Sequence, residues 1–438
     1  MTLKSLLSHS IEAYTAVRSD ARPADAILSD YLRTRKYLGS HDRKFISEAV
    51  YGTLRYDLAI EPVVANRFPE HSNKFIYSLI IFLFLSKQHA DDLLSPTTEL
   101  TSLSREQLLD LRSHFFSKQQ APCSISERYA FPEWVTEKLL EEFSEEELAH
   151  LYAALNTEAP LTLRTNTLLT SRTALQQALA DEHIITTFGH LSPDALICER
   201  RRPIFQSHSY RKGLCEIQDE GSQLISLLLN PKPKTITLDA CAGGGGKTLH
   251  LATLMQNKGK VYAYEKFPKR FGNIRDRLKR STLQNVELLD SDDKLQRFRE
   301  KFSGKVDYIL IDAPCTGSGT LRRNPDLKRR LTPESLERLK NVQSEILDDY
   351  APLLKVGGRL VYATCSIFRE ENEAQIDAFL LRHPYFSRLP VSEVVKEIRI
   401  DADLTRLCER LQHETYLKLF PHRDNTDGFF AAVLTRRS

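Results

Sequence analysis

The feature that most constrains the fold is an alternation of strand and helix patterns that begins at Lys234. Helical patterns separate most of the strand candidates, and the four apolar residues of 308–311 have the character of a parallel strand buried on both faces. The alternation predicts a doubly wound α/β domain, whose ligands bind at the carboxyl ends of its strands. The predicted strands are 235–240, 260–265, 285–290, 306–314, 358–366 and 429–435.

The remaining sequence fits two further domains, since 438 residues allow about three. We expect an all-α domain over residues 1–125, a small α+β module over 126–230 and a Rossmann-like domain over 231–438. The apolar run Phe75–Leu85 has 11 residues, and a membrane-spanning helix needs about 20. This run is therefore predicted to be a buried core helix, and no membrane partner is expected.

Charge and cysteine content narrow the function classes. The 61 basic and 58 acidic residues leave a net charge of +3, so any case for nucleic acid must come from local patches. The seven cysteines form no CxxC pair, and the histidines form no HExxH pattern, so no metal site is expected. Sparse free thiols and a start without an apolar signal segment predict a cytoplasmic protein.

A glycine-rich loop follows the first strand of the α/β domain, in LDACAGGGGKTLHLA (238–252). Its end fits a phosphate-binding P-loop, but Cys241 stands where that motif requires its first glycine. The alternative is the nucleoside-cofactor loop of a methyltransferase, which needs an acidic residue after the second strand to bind ribose hydroxyls. Glu265 ends the second predicted strand and fits that requirement.

Two cysteines stand at the ends of the fourth and fifth predicted strands. Cys315 lies in DAPCTGSG, three residues after Asp312, and Cys365 lies in YATCS. Carbon 5 of cytosine is a poor nucleophile, but addition of a thiolate to C6 makes it able to attack an electrophilic methyl group. A base must then remove the C5 proton so that the thiol can leave. Converging thiols beside a nucleoside cofactor suit this reaction, and a P-loop NTPase has no use for them.

These motifs closely resemble those of the Sun/Fmu family of RNA cytosine-C5 methyltransferases, especially its bacterial members acting on small-subunit ribosomal RNA. DACAGGGGKT is similar to the cofactor loop of the family, DAPCTGSG to its Pro-Cys motif and YATCSIFREEN to its Thr-Cys motif. PHRDNTDGFFAAVL (421–434) resembles its closing motif. The first 120 residues resemble the NusB-like, RNA-binding domain of the ribosomal-RNA members, and the middle module is expected to be RRM-like.

The resemblance implies methyl transfer from S-adenosylmethionine to C5 of a cytosine in 16S ribosomal RNA. Cys365 would add to C6, and Cys315 would aid breakdown of the adduct. In DNA cytosine methyltransferases the Pro-Cys residue is the nucleophile, so exchanged roles are the main alternative. The implied cofactor-binding residues are Cys241, Ala242, Gly243, Gly244, Gly245, Gly246, Lys247, Glu265, Asp290 and Asp312.

Local positive charge suggests where RNA binds. The run 321–330 follows the Pro-Cys motif, and a further arginine is expected to project from a strand in PLTLRTNTL (160–168). A monomer is expected. A transfer-RNA methyltransferase, a P-loop NTPase and a non-catalytic RNA-binding assembly factor remain as alternatives. The predicted RNA contacts are Arg164, Arg322, Arg323 and Lys328.

Overall fold

The computed structural model describes residues 1–120, 123–398 and 405–437. The helices are α1 (Leu3–Ser19), α2 (Ala24–Thr34), α3 (Ser40–Arg67), α4 (Asn73–Thr101), α5 (Arg105–Gln120), α6 (Ile125–Tyr129), α7 (Glu133–Leu140), α8 (Glu145–Leu155), α9 (Arg172–Asp181), α10 (His208–Arg211), α11 (Glu220–Leu229), α12 (Gly246–Leu254), α13 (Arg270–Ser281), α14 (Asp292–Phe302), α15 (Leu327–Arg330), α16 (Pro333–Tyr350), α17 (Glu373–Arg382), α18 (Val391–Glu397), α19 (Thr405–Leu411) and α20 (Pro421–Asp424).

The strands form two sheets, one of four strands and one of eight. They are β1 (Leu161–Thr165), β2 (Thr186–Phe188), β3 (Ala195–Cys198), β4 (Cys215–Ile217), β5 (Ile236–Asp239), β6 (Lys260–Tyr264), β7 (Val286–Leu289), β8 (Val306–Asp312), β9 (Leu354–Thr364), β10 (Phe386–Leu389), β11 (Leu417–Leu419) and β12 (Phe429–Arg436).

The chain folds into two compact units, one of Met1–Glu158 with Thr320–Pro333 and one of Ala159–Gly319 with Glu334–Ser438. The predicted limits at residues 125 and 230 do not coincide with this division, so the three-domain assignment stays a prediction. Among the described residues, no helix is long and apolar enough to cross a membrane.

The first unit is helical, as the sequence predicts. Helices α1, α3 and α4 pack against one another. Ser72 caps α4 by accepting a hydrogen bond from the Phe75 N–H (3.4 Å), which satisfies one of the free donors at the helix start. The apolar run Phe75–Leu85 lies in α4, and its central residues Leu79 to Leu83 are at most 1% exposed. The predicted buried core helix is therefore confirmed.

The segment Thr320–Pro333 belongs to this helical unit, although it interrupts the sequence of the α/β domain. The guanidinium of Arg329 donates to the buried carboxylate of Asp57 (2.9 Å) and also pairs with Glu61, both on α3. The guanidinium of Arg322 donates to the carbonyl of Glu158 (3.0 Å). Ion pairs and hydrogen bonds from basic residues thus hold residues 320–333 within the helical unit.

The prediction that Lys328 contacts RNA is wrong. Its side chain is 1% exposed, and its ammonium donates to the carbonyls of Arg55 (2.8 Å), Tyr129 (3.3 Å) and Ala130 (3.1 Å) and to the side-chain oxygen of Asn156 (2.6 Å). Burial lowers the pKa of Lys328 well below its usual value. An ammonium enclosed by protein acceptors has no face left for a phosphate, so Lys328 acts as a structural anchor.

Arg322 and Arg323 differ from each other in burial. Arg322 is 6% exposed and uses its guanidinium within the protein, so it too is withdrawn as an RNA contact. Arg323 is half-buried, and its predicted role in RNA binding stays a prediction.

Replacing Lys328 with methionine should destabilise the helical unit, because several buried acceptors lose their donor. We expect the free energy of unfolding to fall by about 2–4 kcal/mol, measured by urea denaturation with helical circular dichroism. Lys44→Met is the matched control, since Lys44 is 73% exposed in its ion pair with Glu48. Unchanged stability together with weakened RNA binding would restore Lys328 as a phosphate contact.

The second unit contains both sheets. In the smaller one, β1 lies between antiparallel β3 and β4, and β2 pairs with β3. The larger sheet has the order β10-β12-β9-β8-β5-β6-β7, and its eighth strand, β11, pairs antiparallel with β12. Strands β5 to β9 are parallel to their neighbours in that order, and β12 runs antiparallel to β9. All six strands predicted from the sequence are present.

The parallel strands reverse their order between β5 and β8, which places a crevice at their carboxyl ends. In the register, Asp239 on β5 aligns with Ala263 on β6 and Leu310 on β8, while Asp312 aligns with Ala363 on β9. The glycine loop and both cysteine motifs follow these strands and therefore meet at one edge of the sheet.

Candidate active site

The glycine loop 243–246 connects β5 with α12 at that edge. Gly243 has φ +54° and open space where a side chain would start, and Gly245 has φ +85° and caps α12. A residue with a Cβ is disfavoured in this left-handed conformation. The loop therefore leaves a concave backbone surface at the start of a helix, a fitting cradle for a nucleoside cofactor.

Arg164 supports this loop from within the protein. The predicted exposure of Arg164 is wrong, because only 2% of the residue is exposed. Its guanidinium donates to the carbonyl of Gly246 (2.7 Å) and to the side chain of Gln218, and burial lowers its pKa to about 10. The sequence shows that residue 164 is charged, but it does not show that the partners of this charge lie inside the protein. Because Arg164 is buried, it is no longer assigned as an RNA contact.

Two carboxylates follow β6 and β7, as predicted. Glu265 is 6% exposed and accepts hydrogen bonds from the Phe267 N–H (2.8 Å) and from Arg270 (3.3 Å). Asp290 pairs with Lys294 (2.7 Å) and with Arg275, and the bond from Lys294 is the main cause that lowers its pKa. Tyr264 and Leu289 align in the register, so these acids are neighbours at the sheet edge.

Asp312 and Lys247 form an ion pair in the centre of the edge. The Lys247 ammonium donates to the Asp312 carboxylate at 2.7 Å and lies 5.7 Å from the ring centroid of Phe429. Burial alone would lower the pKa of Lys247, but Asp312 and, to a lesser degree, Cys365 raise it above the usual value. Lys247 is therefore a fixed cation, held by Asp312 at the sheet edge from which both cysteine motifs leave.

The two cysteine sulfurs meet beside this ion pair. The Sγ atoms of Cys315 and Cys365 are 3.4 Å apart, and both residues are partly exposed. The hydrogen bond with Cys365 and burial raise the pKa of Cys315 well above its usual value. Burial likewise raises the pKa of Cys241. The two motif cysteines lie close together, as the sequence predicts. Their chemical roles stay predictions.

A contact between two glycine backbones joins the Pro-Cys motif to the closing motif. Gly428 N–H donates to Gly319 O (2.8 Å), and Gly319 N–H donates to Cys365 O (2.9 Å). A Cβ on Gly319 would lie 2.2 Å from the Gly428 oxygen, well inside van der Waals contact. The three motifs therefore hold one another through main-chain bonds that only glycine permits at residue 319.

Gly319→Ala should destabilise the second unit and reduce activity, because the added methyl group forces the two backbones apart. We expect a loss of about 2 kcal/mol or more in a urea melt. Gly272→Ala is the matched control, since Gly272 lies in α13 and an added methyl group would meet nothing within 4 Å. The control should be neutral or more stable by up to about 1 kcal/mol. Equal stability of the two variants would refute the close contact.

Asp239 lies beneath the loop and is fully buried. Its carboxylate accepts from the Thr248 hydroxyl at 2.6 Å, and burial raises its pKa from 3.8 to about 7. The folded protein therefore holds a proton that the unfolded chain releases near pH 4. The stability associated with this proton is present at low pH and is lost as the pH rises towards 7.

Asp239→Asn should remove this pH dependence, because the amide does not titrate. We expect the Tm of the wild type to fall relative to that of the variant between pH 4 and pH 7, by differential scanning calorimetry. Comparing the two proteins at each pH cancels the other titrating groups. A constant difference in Tm across this range would contradict the raised pKa of Asp239.

The site also contains residues to which the sequence assigned no role. Glu371 belongs to the YATCSIFREEN motif, and its carboxylate is completely buried against the loop that carries Cys315. A carboxylate six residues after Cys365 was the available sequence signal. Among the described residues, no group of histidine, cysteine and acidic side chains could hold a metal ion.

Comparison with known proteins agrees with this geometry. A family model described as 16S rRNA methyltransferase RsmB/F matches residues 226–435, and the ferredoxin-like domain of RsmF/B-like methyltransferases matches residues 131–205. A probable ribosomal RNA small subunit methyltransferase B from Synechocystis sp. is 30% identical, over 91% of this chain and 92% of its own length.

Two further proteins match almost end to end. The probable ribosomal RNA small subunit methyltransferase B of Bacillus subtilis is 27% identical, with 100% of both chains covered. The crystal structure of PH0851 is 25% identical and superposes with a TM-score of 0.80 over 99% of both chains. The similarity therefore extends over the helical region as well as the α/β domain.

Proposed function

The chain belongs to the RsmB/F family of 16S rRNA methyltransferases, and from this premise we propose that it methylates C5 of a cytosine in 16S ribosomal RNA. The observation that carries the proposal is the 3.4 Å contact between the sulfurs of Cys315 and Cys365, beside the Lys247–Asp312 ion pair. Two thiols are the groups that covalent activation and release of a cytosine require.

S-adenosylmethionine is the proposed methyl donor, and it supplies an electrophilic methyl group when bound. The open glycine loop with its helix start suits a nucleoside cofactor, and Cys241 to Lys247 would line it. Glu265 offers carboxylate oxygens to two ribose hydroxyls. Asp290 would lie near the adenine and Asp312 between the methionine end and the cytosine.

Cys365 is the proposed nucleophile. Its thiolate forms a bond to C6, and the electron pair of the C5–C6 double bond moves to C5, which can then take a methyl group. Lys247 supports this step as a cation that interacts electrostatically with Cys365. Asp312 fixes the Lys247 ammonium at 2.7 Å, so the positive charge is in place before the RNA binds.

Cys315 is proposed to act in the second half of the reaction. Removal of the C5 proton by a base restores the C5–C6 double bond and expels the Cys365 sulfur as a thiolate. Cys315 is placed to exchange a proton with that sulfur, because the two atoms lie in hydrogen-bond contact. This assignment keeps the nucleophile and the releasing group in the loops after two separate strands, β9 and β8.

The substrate and the partners follow from the family. The helical unit is proposed to be NusB-like and to contribute RNA binding, and the target cytosine must leave its stack to reach Cys365. We propose that the protein acts as a monomer in the cytoplasm. Arg323 stays as a proposed RNA contact, whereas Arg164, Arg322 and Lys328 serve the protein interior.

Trapping on RNA tests the roles of the two cysteines. With S-adenosylmethionine and small-subunit ribosomal RNA, Cys315→Ala should accumulate a protein–RNA adduct that survives a denaturing gel. Cys365→Ala should form none and should lose at least about 10³-fold in kcat, since its nucleophile is gone. Cys408→Ala is the control, because this half-buried thiol lies on α19 outside the two motifs.

An adduct that depends on Cys315 and survives in Cys365→Ala would show that the roles are exchanged. Adduct and methylation on transfer RNA instead of ribosomal RNA would change the substrate. A wild type that binds S-adenosylmethionine but neither forms an adduct nor transfers methyl to either RNA would favour an assembly factor.

A further inference from the structure

The buried carboxylate of Glu371 contacts the loop that carries Cys315. Its oxygens accept hydrogen bonds from the Thr316 N–H (2.9 Å), the Thr316 hydroxyl (2.5 Å) and the Gln343 amide (2.9 Å). The Gln343 amide also donates to Pro314 O at 3.0 Å. The residues on both sides of Cys315 are thus held by one polar cluster, which consists of Glu371, Thr316, Gln343 and Ser366.

The same polar cluster also reaches the loop of the other cysteine. The hydroxyl of Ser366, the residue after Cys365, lies 3.3 Å from the Thr316 hydroxyl, which itself donates to Glu371. The Tyr362 hydroxyl, on the strand that leads to Cys365, donates to the Glu371 carbonyl (2.7 Å). The cluster around Glu371 therefore includes the residue that follows each cysteine.

We propose that Glu371 is a positioning residue that holds the Cys315 and Cys365 sulfurs in contact, so that Cys315 can act when the adduct breaks down. The inference rests on the proposed function and adds a residue that touches neither cofactor nor RNA. Its geometric part, the distance between the sulfurs, can be tested without any RNA.

The number of hydrogen bonds explains why a carboxylate occupies this position. A carboxylate offers about four acceptor sites, and Thr316 and Gln343 together direct three donors at Glu371. Burial raises the pKa of Glu371, and these bonds oppose that rise. A glutamine side chain has the same shape but turns two donors towards the cluster, so it must break bonds that a carboxylate makes.

Glu371→Gln should therefore uncouple adduct formation from release. With small-subunit ribosomal RNA, we expect an accumulating protein–RNA adduct, a fall in kcat of about 10²-fold, and unchanged affinity for S-adenosylmethionine. Asp377→Asn is the control, because it removes a carboxylate from a surface ion pair with Arg388. Wild-type kcat without an adduct would overturn the proposal. So would equal loss of cofactor binding and of adduct formation, which a merely structural role predicts.

Thr316→Val is the second variant, in case Glu371→Gln does not fold. It removes one hydroxyl donor while keeping the backbone N–H bond, and it should also accumulate adduct. Thr316→Ser keeps the hydroxyl and should behave as the wild type. Adduct levels that are the same in the valine and serine variants would contradict the positioning role.

Thiol oxidation separates this inference from the proposed function. Diamide takes up the two thiol hydrogens as a disulfide forms, and the rate reports how often the Cys315 and Cys365 sulfurs meet. Without RNA, we expect peptide mapping to show slower Cys315–Cys365 disulfide formation in Glu371→Gln and Thr316→Val than in the wild type and Asp377→Asn. Equal rates would overturn the inference, whereas slower rates with no methylation by the wild type would refute only the proposed function.

Discussion

The parallel pairing of β8 with β9 determines where the chemistry of this protein can occur. Asp312 and Ala363 are aligned in that pair, so the Pro-Cys and Thr-Cys motifs leave the sheet side by side. Main-chain bonds from Gly319 to Cys365 and from Gly428 to Gly319 then hold the two loops and the closing motif together. Strand register thus brings the two cysteine loops together before any side chain adjusts the distance between the sulfurs.

Buried cationic side chains have structural roles in each of the two units. In the helical unit, the Lys328 ammonium satisfies three carbonyls and an amide oxygen within a segment that starts five residues after Cys315. In the second unit, Arg164 fixes the Gly246 carbonyl at the cofactor loop. A buried ion is costly unless it is fully bonded, so such groups define one arrangement of the backbone around them.

The regular parts of the molecule were predictable from the sequence. All six predicted strands exist, because apolar runs bounded by turn residues carry that information locally. Strands β10 and β11 were not predicted, since each has only two apolar residues, which leave too little pattern. Arg164 and Lys328 were misassigned because a sequence shows charge but not the internal carbonyls that bind it. Glu371 lay within a recognised motif, yet its partners Thr316 and Gln343 become visible only through the fold.

The identity of the nucleophile is the central claim, and mapping the covalent bond tests it most directly. Small-subunit ribosomal RNA made with 5-fluorocytidine blocks the loss of a proton from C5 and holds the adduct on the unmodified wild-type enzyme. After nuclease and protease digestion, mass spectrometry should find the methylated nucleotide on the peptide that contains Cys365. The same nucleotide on the peptide that contains Cys315 would contradict the account.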